Sequence, residues 1–260
     1  MLFTPAVLAS LEGRFSFVKT PLVDAPAAQR DPAVVRTVSE MLLDIQQRGM
    51  DAVLHYATKL DRWDGREIEL NGKTIAESGS RLDPALREAI ELGSERTRAF
   101  AAEQRRRLVD FETSPLPGLV TGVRYVPVSR VGAYLPAGRF PLTASAFMTV
   151  GVAKEAGVPT VLACTPPQPD GSANDAVLYA AHLSGVDRVF VLGGVQALAA
   201  MAYGLIGDLP VDMLVGAGNA FVAEAKRQLF GTVAIDLLAG PSEVAVLADE
   251  TADAEMVAAD

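Results

Sequence analysis

The sequence predicts an α/β fold in which a parallel, doubly wound sheet follows a largely helical N-terminal region. Beyond residue 128, short apolar runs rich in β-branched residues alternate with Ala-rich helical patterns. This alternation implies parallel strands joined by right-handed helical crossovers. Composition agrees, because half of the 260 residues are hydrophobic, 21% are charged and 6% are aromatic. Such a chain is long enough and apolar enough to bury a sizeable core.

Residues 1–110 are predicted to be mostly helical. In the first helix Asp31 is the N-cap, Pro32 takes the first helical position and Gly49 follows the last turn. The pattern then predicts a helix over 51–59, a strand over 67–70 between turns at Asp64-Gly65 and Asn71-Gly72, and a helix from Asp83-Pro84 to about Leu108.

A linker is predicted at Pro115-Leu-Pro-Gly118, and the alternation of strands and helices begins after it. The predicted strands are 123–128, 131–135, 160–164, 188–192 and 211–215. The predicted helices are 144–156, 174–183, 196–203 and 219–230. Parallel strands end at one edge of a sheet, so four of the connecting loops are expected to meet there and to form a ligand site.

Glycines follow two of these strands in the same manner. The strand that ends at Leu192 continues into Gly193-Gly194, and the strand that ends at Val215 continues into Gly216-Ala-Gly218. Glycine lets a ligand approach the backbone, and outward-pointing N–H groups at the start of the next helix favour a phosphate. A glycine turn is also ordinary chain geometry, and neither pair forms the G-x-G-x-x-G fingerprint.

Charge and residue usage exclude several classes of function. A net charge of −9 argues against a nucleic-acid surface, and the basic run 105–107 is predicted to be a solvated helix face. The single cysteine, Cys164, lies in an apolar run and is predicted to be a buried thiol. The histidines, His55 and His182, are too few for a catalytic zinc site. A single cysteine excludes an internal disulfide framework, so we expect a cytoplasmic protein. With no apolar run of membrane-spanning length and no leader pattern, we expect no membrane partner.

The C-terminal stretch predicts a strand and then a helix that does not end. Residues 239–249 form a glycine turn and an apolar run, and 250–260 begin a helical pattern with Thr251 as a possible cap. No glycine, asparagine or basic last turn closes that helix. We therefore expect the sequence to be the N-terminal part of a longer protein.

Four ordered motifs resemble those of the histidinol dehydrogenase family, and the likeness extends over the whole chain. The Leu60-Asp61-Arg-Trp63-Asp64 stretch also fits, less specifically. The motifs are Tyr134-Leu-Pro-Ala-Gly138, Gly193-Gly-Val-Gln196-Ala-Leu-Ala-Ala-Met-Ala, Gly216-Ala-Gly-Asn219-Ala-Phe-Val-Ala-Glu-Ala-Lys226 and Ile235-Asp-Leu-Leu-Ala-Gly-Pro-Ser242-Glu-Val.

The resemblance implies a zinc- and NAD-dependent enzyme that oxidises an alcohol through an aldehyde to a carboxylic acid and acts as a homodimer. It implies two incomplete Rossmann-like domains: 1–128 as the helical part of a split first domain, 129–238 as the NAD-binding domain, and 239–260 as a return to the first domain.

Individual residues match functional positions of the family. Tyr134, Gln196 and Asn219 match positions that contact NAD, and their hydroxyl and amide groups suit a ribose or a phosphate. Ser242 matches a position that contacts the substrate, although without the resemblance it is a simple turn hydroxyl.

The family's zinc ligands and proton-transfer pair are absent from the sequence. They begin with a Gln-x-x-His motif expected just beyond Asp260, so no catalytic or metal-binding residue is assigned within the chain. One alternative is a non-catalytic module that binds a nucleotide; another is that the likeness extends to the fold alone.

Two departures bear on the substrate. The first loop has Pro136-Ala137-Gly138 followed by Arg139, where histidinol-oxidising members have Pro-Gly-Gly, and the third motif has Gly-Ala-Gly-Asn in place of Gly-Pro-Gly-Asn. These features resemble the branch that oxidises sulfopropanediol. In that branch we expect Arg139 to hold a sulfonate by charge-assisted hydrogen bonds. The alternative, which has equal weight, is that Arg139 lies on the surface or binds cofactor phosphate.

Overall fold

A computed structural model describes residues 30–64, 66–137 and 141–238, together with 252, 253 and 255. Its helices are α1 (Pro32–Arg48), α2 (Met50–Asp61), α3 (Gly72–Glu77), α4 (Pro84–Arg107), α5 (Ala144–Ala146), α6 (Val152–Glu155), α7 (Asp175–Leu183), α8 (Gly194–Ala202) and α9 (Ala220–Leu229). A 3₁₀ turn (Ser78–Arg81) follows α3, and a π-helical turn (Phe147–Gly151) joins α5 to α6. The strands are β1 (Glu69–Leu70), β2 (Phe111–Leu116), β3 (Leu119–Val123), β4 (Arg130–Tyr134), β5 (Thr160–Thr165), β6 (Arg188–Val191), β7 (Met213–Val215) and β8 (Ala234–Ile235).

Six strands form one sheet in the order β1-β6-β5-β4-β7-β8. Strands β4 to β8 run parallel to their neighbours, whereas β1 is antiparallel to β6. The predicted α/β fold with a parallel sheet is confirmed, and the N-terminal region adds one antiparallel edge strand. The chain runs outward from β4 to β6 and then returns to the other side of β4, where it forms β7.

Both faces of this sheet are covered, because alternate residues of each strand enter different cores. On β5, Leu162 and Cys164 belong to the cluster under α1, α2, α8 and α9, whereas Val161 and Ala163 belong to the cluster under α4 and α7. Cys164 is fully buried, and burial raises the pKa of its thiol. Its prediction as a buried thiol is confirmed.

Side-chain caps explain why the helices begin where the sequence predicts. Asp31 Oδ1 accepts a hydrogen bond from Ala33 N at 2.8 Å, and Asp83 Oδ1 accepts one from Ala85 N at 2.9 Å. Gly49 follows α1 with φ +60°, a conformation that favours glycine. Each such cap typically contributes about 1 kcal/mol.

The predicted linker at Pro115-Leu-Pro-Gly118 is wrong. Its first two residues end β2 and its last two form the turn of an antiparallel hairpin in which β2 pairs with β3, and Gly118 has φ +82° at the turn. All residues of both strands are exposed. The two prolines suggested a linker. An edge strand tolerates proline, however, because proline lacks an N–H group and the outer side of an edge strand has no partner to receive one.

Three smaller predictions also need correction. Asn71 is not in a turn: its Oδ1 accepts a hydrogen bond from Thr74 N at 2.8 Å and caps α3. The strand predicted over 123–128 is wrong, because Val123 is the last residue of β3 and residues 124–128 are not in a strand. The helix predicted over 144–156 is present, but a π-helical turn interrupts it.

The predictions for 239–260 fall almost entirely outside the described residues, as does the predicted turn glycine Gly65. Where the last stretch is described, Asp253 Oδ1 accepts a hydrogen bond from Glu255 N at 2.9 Å. The domain boundaries at 128 and 238 stay predictions. Among the described ranges, no helix has the length and apolarity needed to cross a bilayer.

Candidate functional site

A cleft lies at the carboxyl edge of the sheet, where the strand order reverses at β4 and β7. This reversal point is the usual ligand site of doubly wound sheets. The cleft has a cavity volume of about 920 Å³, within the range of small-molecule sites. Tyr134, Gln196 and Asn219 all line it, so the structure brings together the three predicted NAD contacts. Arg139 and Ser242 lie outside the described residues.

Tyr134 is the last residue of β4 and lies almost fully buried at the floor of the cleft. Its hydroxyl oxygen accepts a hydrogen bond from Gly194 N at 3.0 Å. Burial raises the pKa of Tyr134 to about 12, while the Gly194 N–H opposes that shift. The phenol is therefore neutral near neutral pH and keeps its proton to donate.

Gln196 lies in the first turn of α8, and only 1% of it is exposed. Its Nε2 donates to Asp61 Oδ2 at 2.9 Å. The same carboxylate oxygen accepts a hydrogen bond from Gly193 N at 2.8 Å. Gln196 Oε1 has no hydrogen-bond partner among the described residues, so an acceptor within the cleft wall is unmet.

Asp61 is a site residue that sequence reasoning missed as such. It is the last residue of α2, and its side chain contacts the start of α8. Asp61 and its partner Gln196 are 135 residues apart in the sequence. Burial raises the pKa of Asp61, and the bonds from Gly193 and Gln196 lower it by less. The only signal was the Leu60-Asp61-Arg-Trp63-Asp64 stretch, which carries no spacing that points to a distant amide.

Asn219 caps α9 at the opposite wall of the cleft. Its Oδ1 accepts hydrogen bonds from Phe221 N and Val222 N, each at 3.1 Å. The side chain is exposed, and Nδ2 has no acceptor in the part of the chain that the structure describes. Asn219 therefore offers a donor to the cleft, whereas Gln196 offers an acceptor.

A buried ion pair supports the loop that carries Asn219. Lys226 Nζ pairs with Asp236 and donates to Gly216 O at 2.8 Å. Asp236 Oδ2 in turn accepts a hydrogen bond from Gly216 N at 2.8 Å. Gly216 has φ +121° and lies against the backbone carbonyl of Tyr134. Sequence reasoning missed Lys226 and Asp236 because both were part of longer family motifs.

The prediction that the glycine N–H groups point outward to a phosphate is wrong at Gly193, Gly194 and Gly216. Gly193 N donates to Asp61, Gly194 N donates to Tyr134 and Gly216 N donates to Asp236. At these three positions the N–H group is used within the protein and not for a ligand. In this cleft the glycines serve tight turns and close backbone approach.

Residues singled out for other chemistry lie elsewhere. His55 and His182 are exposed on α2 and α7. In the described ranges, no three His, Cys, Asp or Glu side chains are grouped so as to hold a metal ion. Arg106 and Arg107 pair with Glu103 on the surface of α4, which confirms the predicted solvated helix face.

Comparison with known proteins decides the family. The sequence model of histidinol dehydrogenase matches residues 25–260. The chain belongs to the histidinol dehydrogenase family. The motifs that contain Tyr134, Gln196 and Asn219 therefore lie in a family member, as their order and spacing predicted.

Relatives within the family carry several names. The chain is 44% identical over 227 residues to a histidinol dehydrogenase homolog of Shouchella clausii (strain KSM-K16), which covers 87% of this chain and 53% of that protein. It is 43% identical to a sulfopropanediol 3-dehydrogenase of Ruegeria pomeroyi (strain ATCC 700808 / DSM 15171 / DSS-3), with 87% and 52% covered. It is 41% identical to a histidinol dehydrogenase of Burkholderia pseudomallei (strain 1710b), with 90% and 53% covered. The chain thus spans about half the length of these relatives.

A solved member of the family has the same fold. The crystal structure of histidinol dehydrogenase from Elizabethkingia anophelis superposes with a TM-score of 0.76 at 32% sequence identity. The match covers 89% of this chain and 53% of that one. The α/β architecture of the described residues is therefore that of a histidinol dehydrogenase.

Proposed function

We propose that this chain is the NAD-binding part of a zinc- and NAD-dependent dehydrogenase that oxidises a small alcohol through an aldehyde to a carboxylic acid. The observation that carries the proposal is one cleft of about 920 Å³ at the reversal point of the sheet, lined by Tyr134, Gln196 and Asn219. A cavity of this size accommodates a large part of a dinucleotide. Bound NAD supplies the two-electron acceptor for each oxidation.

The cleft residues suit a nucleotide in three ways. Tyr134 presents a buried ring and a neutral hydroxyl. Gln196 Oε1 is an unmet acceptor, which a hydroxyl or amide N–H of the ligand satisfies. Asn219 directs its Nδ2 away from the helix that its Oδ1 caps, so it donates to the ligand.

Zinc belongs to the proposal only through the family resemblance. No metal-binding group is found among the described side chains, so no step through zinc is derived from them. We propose that the ligands follow Asp260, beginning with Gln-x-x-His, in a longer chain that forms a homodimer in the cytoplasm. In that chain, 1–128 and 239–260 form a split first domain around the NAD-binding domain 129–238.

The proposed substrate is a small alcohol of the histidinol or sulfopropanediol type. Relatives with each name have similar identity to the chain, 41% and 43%. The departures at Ala137 and Ala217 favour the sulfopropanediol type. Arg139 is then the proposed sulfonate contact and Ser242 a further substrate contact.

The test of the proposed NAD site is calorimetric titration of the chain with NAD, for wild type and Asn219→Ala. We expect a loss of affinity of about tenfold, as for one good hydrogen bond. Asn174→Ala is the matched control, because Asn174 also caps a helix, accepting a hydrogen bond from Ala176 N at 3.0 Å, but lies outside the cleft. An Asn219→Ala affinity within twofold of wild type contradicts the proposed site.

A steady-state assay separates the dehydrogenase from a nucleotide-binding module. The chain, and a version extended past residue 260, are mixed with NAD, zinc and either histidinol or sulfopropanediol. We expect NADH from the extended version only. NAD binding without NADH from either version favours the non-catalytic module instead.

A further inference from the structure

We infer that Asp61 is a positioning residue that sets the direction of the Gln196 side-chain amide, so that Gln196 accepts a hydrogen bond from an uncharged donor group of the bound dinucleotide. The inference rests on the proposed NAD site and identifies the ligand chemistry at one point of it. The donor is a ribose hydroxyl or an amide or amine N–H, and not a phosphate.

The first step is that Asp61 Oδ2 is held as an acceptor. It receives Gly193 N at 2.8 Å and Gln196 Nε2 at 2.9 Å. An ionised carboxylate only accepts hydrogen bonds, so while Asp61 is ionised the amide of Gln196 must turn its nitrogen, and not its oxygen, toward Oδ2.

The second step concerns the oxygen of the same amide. Because Nε2 faces Asp61, Oε1 faces away from it, and Oε1 has no partner among the described residues. With Gln196 only 1% exposed, water reaches it poorly. Buried acceptors without a partner are uncommon in native proteins, and a ligand that donates a hydrogen bond removes the deficit.

The third step excludes a phosphate at this point. A phosphate oxygen does not donate to Oε1 at neutral pH, and the carboxyl group of Asp61 lies in contact with the same amide. The N–H groups of Gly193 and Gly194, which otherwise attract an anion to the start of α8, are already bonded to Asp61 and Tyr134. At Gln196 Oε1 the ligand therefore meets an acceptor beside an acid.

The experiment pairs variants of the chain with analogues of NAD that each lack one donor. The hydroxyl arm uses 2′-deoxy and 3′-deoxy forms of the adenosine ribose and of the nicotinamide ribose. The amide and amine arm uses nicotinic acid adenine dinucleotide and nicotinamide hypoxanthine dinucleotide. Dissociation constants are measured by calorimetry for wild type, Asp61→Ala and Asp61→Asn.

In wild type, we expect one analogue to bind about tenfold more weakly than NAD, and the arm in which it falls identifies the donor. In Asp61→Ala the difference between that analogue and NAD should shrink to within twofold, because the amide is free to rotate. In Asp61→Asn the difference should be kept, since the amide oxygen replaces Oδ2 as acceptor of both bonds. A merely structural role lowers the affinity for NAD and analogue together and leaves their ratio unchanged.

Controls keep the outcomes distinct. Asp64→Ala breaks an exposed ion pair with Arg66 a few residues away and should leave all ratios at wild-type values. If Asp61→Ala does not fold by circular dichroism, Asp61→Ser replaces it. If wild type and the folded variant discriminate equally between NAD and the analogue, the inference alone is overturned. It is also overturned if no analogue binds wild type more than threefold more weakly than NAD. Failure of wild type to bind NAD overturns the proposed function and the inference together.

Discussion

Lys226 and Asp236 form an ion pair beneath the loop that joins β7 to α9. The lysine side chain is 7% exposed and the aspartate side chain 28% exposed. Both partners also bond to the backbone of Gly216, the lysine to its carbonyl and the aspartate to its N–H. The pair therefore fixes one residue of the loop from two sides, three positions before Asn219.

Removing the lysine charge should destabilise the protein. Lys226→Met keeps the length of the side chain but removes the cation beside Asp236 and the donor to the Gly216 carbonyl, so that Asp236 keeps only backbone N–H donors. We expect the free energy of unfolding to fall by about 2–4 kcal/mol, the cost of breaking a largely buried pair. Urea denaturation followed by circular dichroism measures it. Lys73→Met is the control, because its pair with Glu77 spans 3.8 Å on an exposed helix surface and should change stability by less than about 0.5 kcal/mol.

The close approach of Gly216 to β4 predicts a second pair of variants. Gly216 and Gly231 both have positive φ, +121° and +103°, so alanine is strained at each. A Cβ at Gly216 also collides with the carbonyl oxygen of Tyr134, whereas one at Gly231 meets nothing within 4 Å. We expect Gly231→Ala to cost about 1 kcal/mol from backbone strain alone and Gly216→Ala at least about 2 kcal/mol more. Equal losses in thermal unfolding contradict the predicted clash.

Tyr134→Phe should destabilise the protein by about 1–2 kcal/mol, because it leaves the Gly194 N–H without an acceptor. The effect depends on pH. The pKa of Tyr134 is about 12 in the folded protein, above the value of about 10 expected on unfolding. The stabilisation is therefore complete below pH 10 and is lost as the pH rises toward 12.

Urea titrations of wild type and Tyr134→Phe at pH 8 and pH 11 measure this change. The stability difference between the two proteins should narrow at the higher pH. Tyr125→Phe is the control, since Tyr125 is 42% exposed. A stability difference that widens as the pH rises would contradict the raised pKa of Tyr134.

Asp61 predicts a pH dependence in the acid range. Its pKa is raised by burial, so the folded protein holds this proton more tightly than the unfolded chain. Its contribution to stability is therefore complete below the unfolded pKa of about 4 and is lost as the pH rises through the folded pKa. The stability of wild type relative to Asp61→Asn should fall as the pH rises from about 4 through the folded pKa of Asp61.

Asp64 supplies a control of opposite sign. It is exposed, and its hydrogen bonds with Arg66 lower its pKa. The stability of wild type relative to Asp64→Asn should therefore fall as the pH decreases through the folded pKa of Asp64. If relative stability changes with pH in the same direction for both aspartates, burial is not the dominant influence on the pKa of Asp61.

Local signals predicted most of the fold. Capping residues such as Asp31 and Asp83 mark helix starts because a short side chain satisfies N–H groups two or three residues ahead. Periodicity found β4 to β7 because each is buried on both faces. The hairpin at 111–123 was missed because its exposed strands have no apolar alternation and its prolines suggested a linker.

The candidate site was predictable only in part. Tyr134, Gln196 and Asn219 were predicted to meet because each lies at or shortly after the end of a strand, and strands of a parallel sheet end together. Their role in binding NAD came from the family resemblance and stays a prediction. The inward use of the Gly193 and Gly194 N–H groups was not predictable, because their acceptors come from other elements. A local pattern identifies a turn but does not say which side chain reaches it from a distance.

The cleft is assembled from two stretches of chain that recombination separates easily. Asp61 is encoded well before the block 129–238 that contains Gln196, and the two meet only after folding. A chimaera that exchanges this block between relatives inherits the amide from one parent and the acid from the other. Libraries meant to alter cofactor preference should therefore vary positions 61 and 196 together. A crossover point should lie between these positions only when both parents have the same residue at position 61.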